Sequence, residues 1–121
     1  MNVIIHDING TQVAEMQSEG IIIRSARDAA DIIGQLSARG IKKLILHERN
    51  LCPEFWQLSN GLAGVILQEF TNCSVAAALV GVFDQYKSKS LTAFIKESNL
   101  NNQVIFSDNT ELVKMRLSKE L

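Results

Sequence analysis

Three groups of residues in this sequence are of types that do chemistry. His47 and Glu48 follow an apolar run, while Ser59 and Asp84 lie on later segments. A serine, an imidazole and an acid drawn from separate loops are the parts of a hydrolase triad. The flanks of Ser59 do not suit that role. Gln57 and Leu58 precede it and Asn60 and Gly61 follow, so the G-x-S-x-G turn that strains a serine into a nucleophile is missing. His47 therefore reads as a polar strand terminus with its hydrogen bonds satisfied. The second group, Asn60, Gly61, Leu62, Ala63 and Gly64, opens a helix, where free amides favour an anion. It is neither a P-loop nor GxGxxG, and its default use is a helix start at which Gly64 permits close packing on a sheet. The third group spans residues 83–90. Tyr86, Lys87, Ser88, Lys89 and Ser90 near a helix N-terminus suit a phosphate or carboxylate, against the alternative of a solvated connection.

Cys52, beside Pro53 and ahead of Phe55 and Trp56, reads as a small apolar filler rather than an activated thiolate. Neither Cys52 nor Cys73 belongs to a CxxC pair or lies at metal-ligand spacing from a histidine, so no metal or other cofactor is expected. No residue is assigned a catalytic role. The candidates for partner or ligand contact are His47, Glu48, Ser59, Asn60, Gly61, Asp84, Tyr86, Lys89 and Ser90.

Composition narrows the partners. Twelve basic and thirteen acidic side chains among 121 residues give a net charge of -1, without the basic excess of a nucleic-acid or anionic-membrane binder. The N-terminus has no basic region ahead of a signal-like apolar core, and the longest apolar run, residues 75–83, is far short of the ~20 residues that cross a bilayer. The expectation is a cytoplasmic protein with reduced thiols. A mean hydropathy of +0.08 leaves room for a homodimer through an apolar helix face.

These candidates need a scaffold. Val3, Ile4 and Ile5 and residues 12–16 flank Asn9 and Gly10, a type I′ pair, so the chain opens with a β-hairpin. Ser25 and Asp28 form a capping box ahead of Ala29, Ile32, Ile33 and Leu36, with Gly40 closing that helix. Leu44, Ile45 and Leu46 read as a buried strand ending at His47. Pro53 starts a helical turn, and a second helix runs from about Ser59 with Leu62, Val65, Ile66 and Phe70 on one face. Residues 75–83 read as a central strand. Ser88 or Ser90 caps a helix with Leu91, Phe94 and Ile95, and residues 99–102 stop it. Residues 103–106 form the last strand, and Asp108 with Glu111 opens a closing helix carrying Leu112, Val113 and Leu117. The order β-β-α-β-α-β-α-β-α predicts one α/β domain over residues 1–121, its mixed, mostly parallel sheet covered on both faces. Ligands then meet the loops beyond the strands' carboxyl ends, at His47, Asp84 and Ser107.

Two resemblances add to this reading. Asn50, Leu51, Pro53, Glu54 and Phe55 beside His47 and Glu48, the glycines at 61 and 64, and residues 86–91 with Phe94, Ile95 and residues 97–99 resemble a small bacterial family, domain of unknown function 4180. The resemblance covers nearly the whole chain and implies no particular activity. More distantly, residues 59–67 are similar to the Asp-Ser-Ser-Gly-Leu-Gly segment of STAS domains, the fold of anti-sigma-factor antagonists, and the element order matches. In that family a kinase phosphorylates the serine before the glycine, and the added charge breaks a partner interface. Here Asn60 holds that position and Leu58 replaces the acid two residues earlier, which leaves Ser59 as the neighbouring hydroxyl. The expectation is a STAS-like, non-catalytic regulatory or protein-interaction module with a protein partner. The alternative is a small enzyme or a small-ligand or anion-binding protein with a cavity of roughly a few hundred Å³ at the carboxyl end of the sheet.

Overall fold

A computed structural model describes residues 2–101 and 104–119. Among the described residues five strands form one sheet in sequential order: β1 (Val3–Ile8), β2 (Thr11–Met16), β3 (Lys43–His47), β4 (Ala76–Val80) and β5 (Val104–Ser107). β1 and β2 pair antiparallel around the turn at Asn9 and Gly10, both at positive φ (53° and 85°), and the remaining pairings are parallel. The hairpin and the mixed sheet are those expected from the sequence.

Four α-helices among the described residues complete the order: α1 (Ala26–Ser37), α2 (Leu62–Asn72), α3 (Lys89–Asn101) and α4 (Thr110–Ser118). Strands laid down side by side with right-handed crossovers put every crossover helix on the same face. Accordingly α1, α2 and α3 bury Ile32, Leu36, Ile66, Phe70 and Leu91 against Ala14, Leu44, Ala77 and Leu79. The other face carries α4, whose Val113 and Leu117 meet Val13, Ile45, Ala78 and Ile105. Lys43 on that face donates to the carbonyl of Leu117 at the C-terminal end of α4, where a cation is favoured. No helix among the described residues is long and apolar enough to cross a membrane.

Several boundaries differ from the sequence reading. α2 starts at Leu62, because Gly61 takes a left-handed conformation (φ 76°) as its N-cap and residues 58–60 form a separate 3-10 turn. Val65 is 55% exposed, and Ala63 and Leu67 take its place on the buried face. β4 ends at Val80, so Val82 is exposed and Phe83 lies beyond the strand. Asn99 does not end α3. It lies within the helix, its Oδ1 accepting from Phe106 N (2.7 Å) and its Nδ2 donating to Phe106 O (3.2 Å), so it closes part of the free edge of β5. α4 is capped by Asn109 rather than Asp108, and Leu112 is exposed. Ser25 and Ser88 do cap α1 and α3, with Asp28 reaching back to Arg24 N. Asn102 and Gln103, assigned above to the stop and the last strand, lie outside the described residues.

The segment between β3 and α2 contains three 3-10 turns, Glu48–Asn50, Pro53–Trp56 and Leu58–Asn60. Its anchor is Asn50, which is fully buried. Its Oδ1 accepts from His47 N (2.9 Å), and its Nδ2 donates to the carbonyls of Ser18 (2.9 Å) and Gly20 (3.0 Å). Its own carbonyl accepts from Ile22 N and Ile23 N, and Ile23 forms a parallel bridge with Leu51. Asn50→Ala removes three side-chain hydrogen bonds at a fully buried position, so chemical denaturation is expected to show a loss of roughly 2–4 kcal/mol.

Candidate functional site

At the carboxyl ends of β3 and β4 the loops enclose an open cleft of about 630 Å³. The connection from β2 to α1 contributes Ile21. The turn after β3 contributes Glu48, Arg49 and Leu51, and the next one Pro53, Trp56 and Gln57. Tyr86 and Ser88 enter from the loop after β4, where Lys87 between them holds a left-handed conformation (φ 49°). The chain's one tryptophan and one tyrosine stack, with centroids 5.2 Å apart and planes 16° from parallel. Phe55 meets Trp56 edge-on at 4.7 Å.

Glu48 organises the polar side of this cleft. Its Oε1 accepts from Val82 N (3.2 Å), and its Oε2 accepts from Gln85 Nε2 (2.5 Å) and from the hydroxyl of Tyr86. Burial first, then the hydrogen bond and charge of Glu48, push the Tyr86 phenol above its ordinary value, so it stays protonated and donating at neutral pH. The approach of Glu48 depends on Gly81, where a Cβ would lie 2.6 Å from both Glu48 Cβ and Oε1. Gly64, to which the sequence reading gave a close-packing role, has nothing within 4 Å of such a Cβ among the described residues. Its position on α2 is exposed.

His47 does not reach this cleft. It lies on the α4 side of the sheet, where its Nε2 is 2.8 Å from Glu15 Oε2, while His6 Nε2 is 2.7 Å from Glu15 Oε1. The chain's two histidines thus share one nearly buried carboxylate, 9% exposed. An ionised carboxylate only accepts, so each Nε2 carries the hydrogen. Burial pushes the Glu15 carboxyl up, but hydrogen bonds from His6 and His47 and their charge outweigh it, and the net shift is downward. Among the described residues no group of three or more histidine, cysteine or acidic side chains is arranged to hold a metal ion.

Glu48 and Tyr86 are thus brought together in the cleft, with Ser88 beside them, while Ser59, Asn60 and Gly61 form an exposed turn. Asn60 there accepts from Leu62 N (2.9 Å) and donates to Glu54 O (2.9 Å). Asp84, Lys89 and Ser90 are exposed and do not line the cleft. His47, Ser59 and Asp84 form no triad, since the imidazole is committed to Glu15 on the sheet face. Cys52 is buried, and burial, with Glu54 adding to it, pushes its thiol up, against thiolate chemistry. The sequence reading missed Glu15, His6, Arg49 and Gly81. Glu15 did leave a signal: in a hairpin strand it shares a face with the apolar Val13, so burial there demanded partners.

Two outcomes follow from this geometry. Gly81→Ala is expected to cost about 1–3 kcal/mol in thermal unfolding and to lower the tyrosine titration, whereas Gly64→Ala is neutral or stabilises by up to about 1 kcal/mol. Glu15→Gln opposes an amide N–H to one imidazole and costs roughly 1–3 kcal/mol at neutral pH. As pH falls, the unfolded chain takes up the Glu15 proton first, so the advantage over Glu15→Gln is full above 4.5 and is lost as pH passes down through the lower folded value. Denaturation of both proteins across that range measures it.

No curated protein and no solved structure matches the chain. A family model described as a domain of unknown function, DUF4180, matches residues 8–117, and the chain belongs to that family.

Proposed function

We propose that this protein is a binding module whose ligand occupies the cleft between the turns after β3 and the loop after β4. The observation that carries this reading is the internal commitment of the cleft's acid and phenol. Glu48 accepts three hydrogen bonds and Tyr86 spends its proton on one of them, so neither is a free base or nucleophile. What the cleft offers a ligand is apolar surface, chiefly from exposed Ile21 and Pro53 with the accessible edges of the buried Leu51 and Trp56, at a volume within the range of small-molecule sites.

A second reading, a regulatory module of STAS-like type with a protein partner, draws support from another surface. The exposed turn at residues 59–61 adjoins a shallow depression of about 440 Å³ formed with Gly64, exposed Val65, Gln68 and Glu69. A homodimer is one form such a partner takes. Cytoplasmic residence accords with the free thiols of Cys52 and Cys73.

Trp56 is the chain's only tryptophan and lines the cleft, so its fluorescence reports occupancy directly. Titration with small amphiphiles is expected to give saturable binding that Ile21→Asp weakens by about ten-fold or more. Binding that is absent, or indifferent to Ile21→Asp, rejects the cleft as the site.

A further inference from the structure

Resting on the cleft as the binding site, we infer that its ligand is a monoanionic carboxylate attached to an aromatic or branched apolar body, and that Arg49 is the anion receptor. Among the described residues the cleft has two charged lining residues, Glu48 and Arg49. The charge of Glu48 is already met by Val82 N, Gln85 and Tyr86. Arg49 is differently placed. Its Nε donates to Ser18 O (3.2 Å) and lies 3.5 Å from Glu19 Oε2, a side chain 90% exposed whose pull is screened by water. Among the described residues the hydrogen bonding of this guanidinium runs through Nε, which leaves its two terminal amino groups for a ligand.

The same contact orients the fork. Ser18 O accepts from Asn50 Nδ2 as well as from Arg49 Nε, so the carbonyl that anchors the guanidinium is itself held by a fully buried side chain. A planar, anchored guanidinium matches the two oxygens of a carboxylate and gives up less freedom on binding than a free chain end. One such cation balances one negative charge. A carboxylate adds one negative charge beside Glu48, where a phosphate dianion would add two. The apolar body then lies on Ile21, Leu51, Pro53 and Trp56.

Phenylbutyrate, phenylbutylamine and phenylbutanol share one apolar body and differ in head group, so titrating each against Trp56 fluorescence separates the two contributions. The acid is expected to bind about ten-fold or more tightly than the alcohol, and Arg49→Gln to erase that preference while leaving the alcohol within about two-fold. Arg49→Lys restores charge without the fork and recovers part of it. In the unaltered chain, the guanidinium nitrogen resonances of Arg49 should shift with the acid and not with the alcohol, a readout independent of any variant's folding. Equal affinity for acid and alcohol, or a preference for the amine, overturns the role of Arg49 and leaves the cleft as the site. Absence of saturable binding by all three overturns both.

Discussion

The hydrogen bonds of Asn50 are the constraint on which the upper end of this molecule depends. A β-strand that ends at a sheet's carboxyl edge leaves the following backbone without ladder partners, and a buried segment cannot leave them unmet. Asn50 resolves this by acting as a small piece of backbone. Its amide accepts from His47 and donates to two carbonyls of the β2–α1 connection, while its own carbonyl receives two amides from that connection. The short bridge between Ile23 and Leu51 continues the pairing one residue further. Two irregular stretches thereby become one hydrogen-bonded rim. On it stand Ile21, Glu48, Arg49 and Leu51, four of the residues that line the cleft.

The opposite wall depends on a missing side chain. Gly81 follows directly on β4 and lets the Glu48 side chain lie against the backbone, where it gathers an amide, a glutamine and the tyrosine. That carboxylate joins the turn after β3 to the loop after β4. The stack of Tyr86 on Trp56 joins the same loop to the next turn along the rim. Charge, hydrogen bond and ring contact thus converge on Tyr86, the one tyrosine of the chain. The sheet's winding has a separate consequence. With α1, α2 and α3 committed to one face and α4 to the other, the acid of β2 on the α4 face meets two imidazoles. Burial of Glu15 is tolerable because both of its oxygens are hydrogen-bonded there.

Much of the fold was legible because it rests on local rules. The Asn9 and Gly10 turn and the serine caps at Ser25 and Ser88 are set by residues within a few positions of each other. Where the reading slipped, two local signals competed. Ser59 looked like a helix start, but the left-handed Gly61 ends one turn and begins the next element. Asp108 looked like a cap, but Asn109 one position on takes the role. The continuous apolar character of residues 75–83 concealed the end of β4, because apolar composition does not record that Val82 is exposed.

The candidate site was legible in part, for a different reason. Local patterns were enough to read an α/β protein with a hairpin followed by alternating helices and strands, and to place its candidate polar residues in loops at one end of the sheet. It marked Glu48 and Tyr86 as notable without joining them, since they are 38 positions apart. It took the assembled fold to turn His47 to the sheet face and Glu48 to the cleft, to give both histidines Glu15, and to make Gly81 rather than Gly64 the position that needs its missing Cβ. The physical reason is range. Caps, turns and periodicity act within about a turn of chain, whereas the partners of a buried charge are fixed by which strands lie side by side and which face each residue presents.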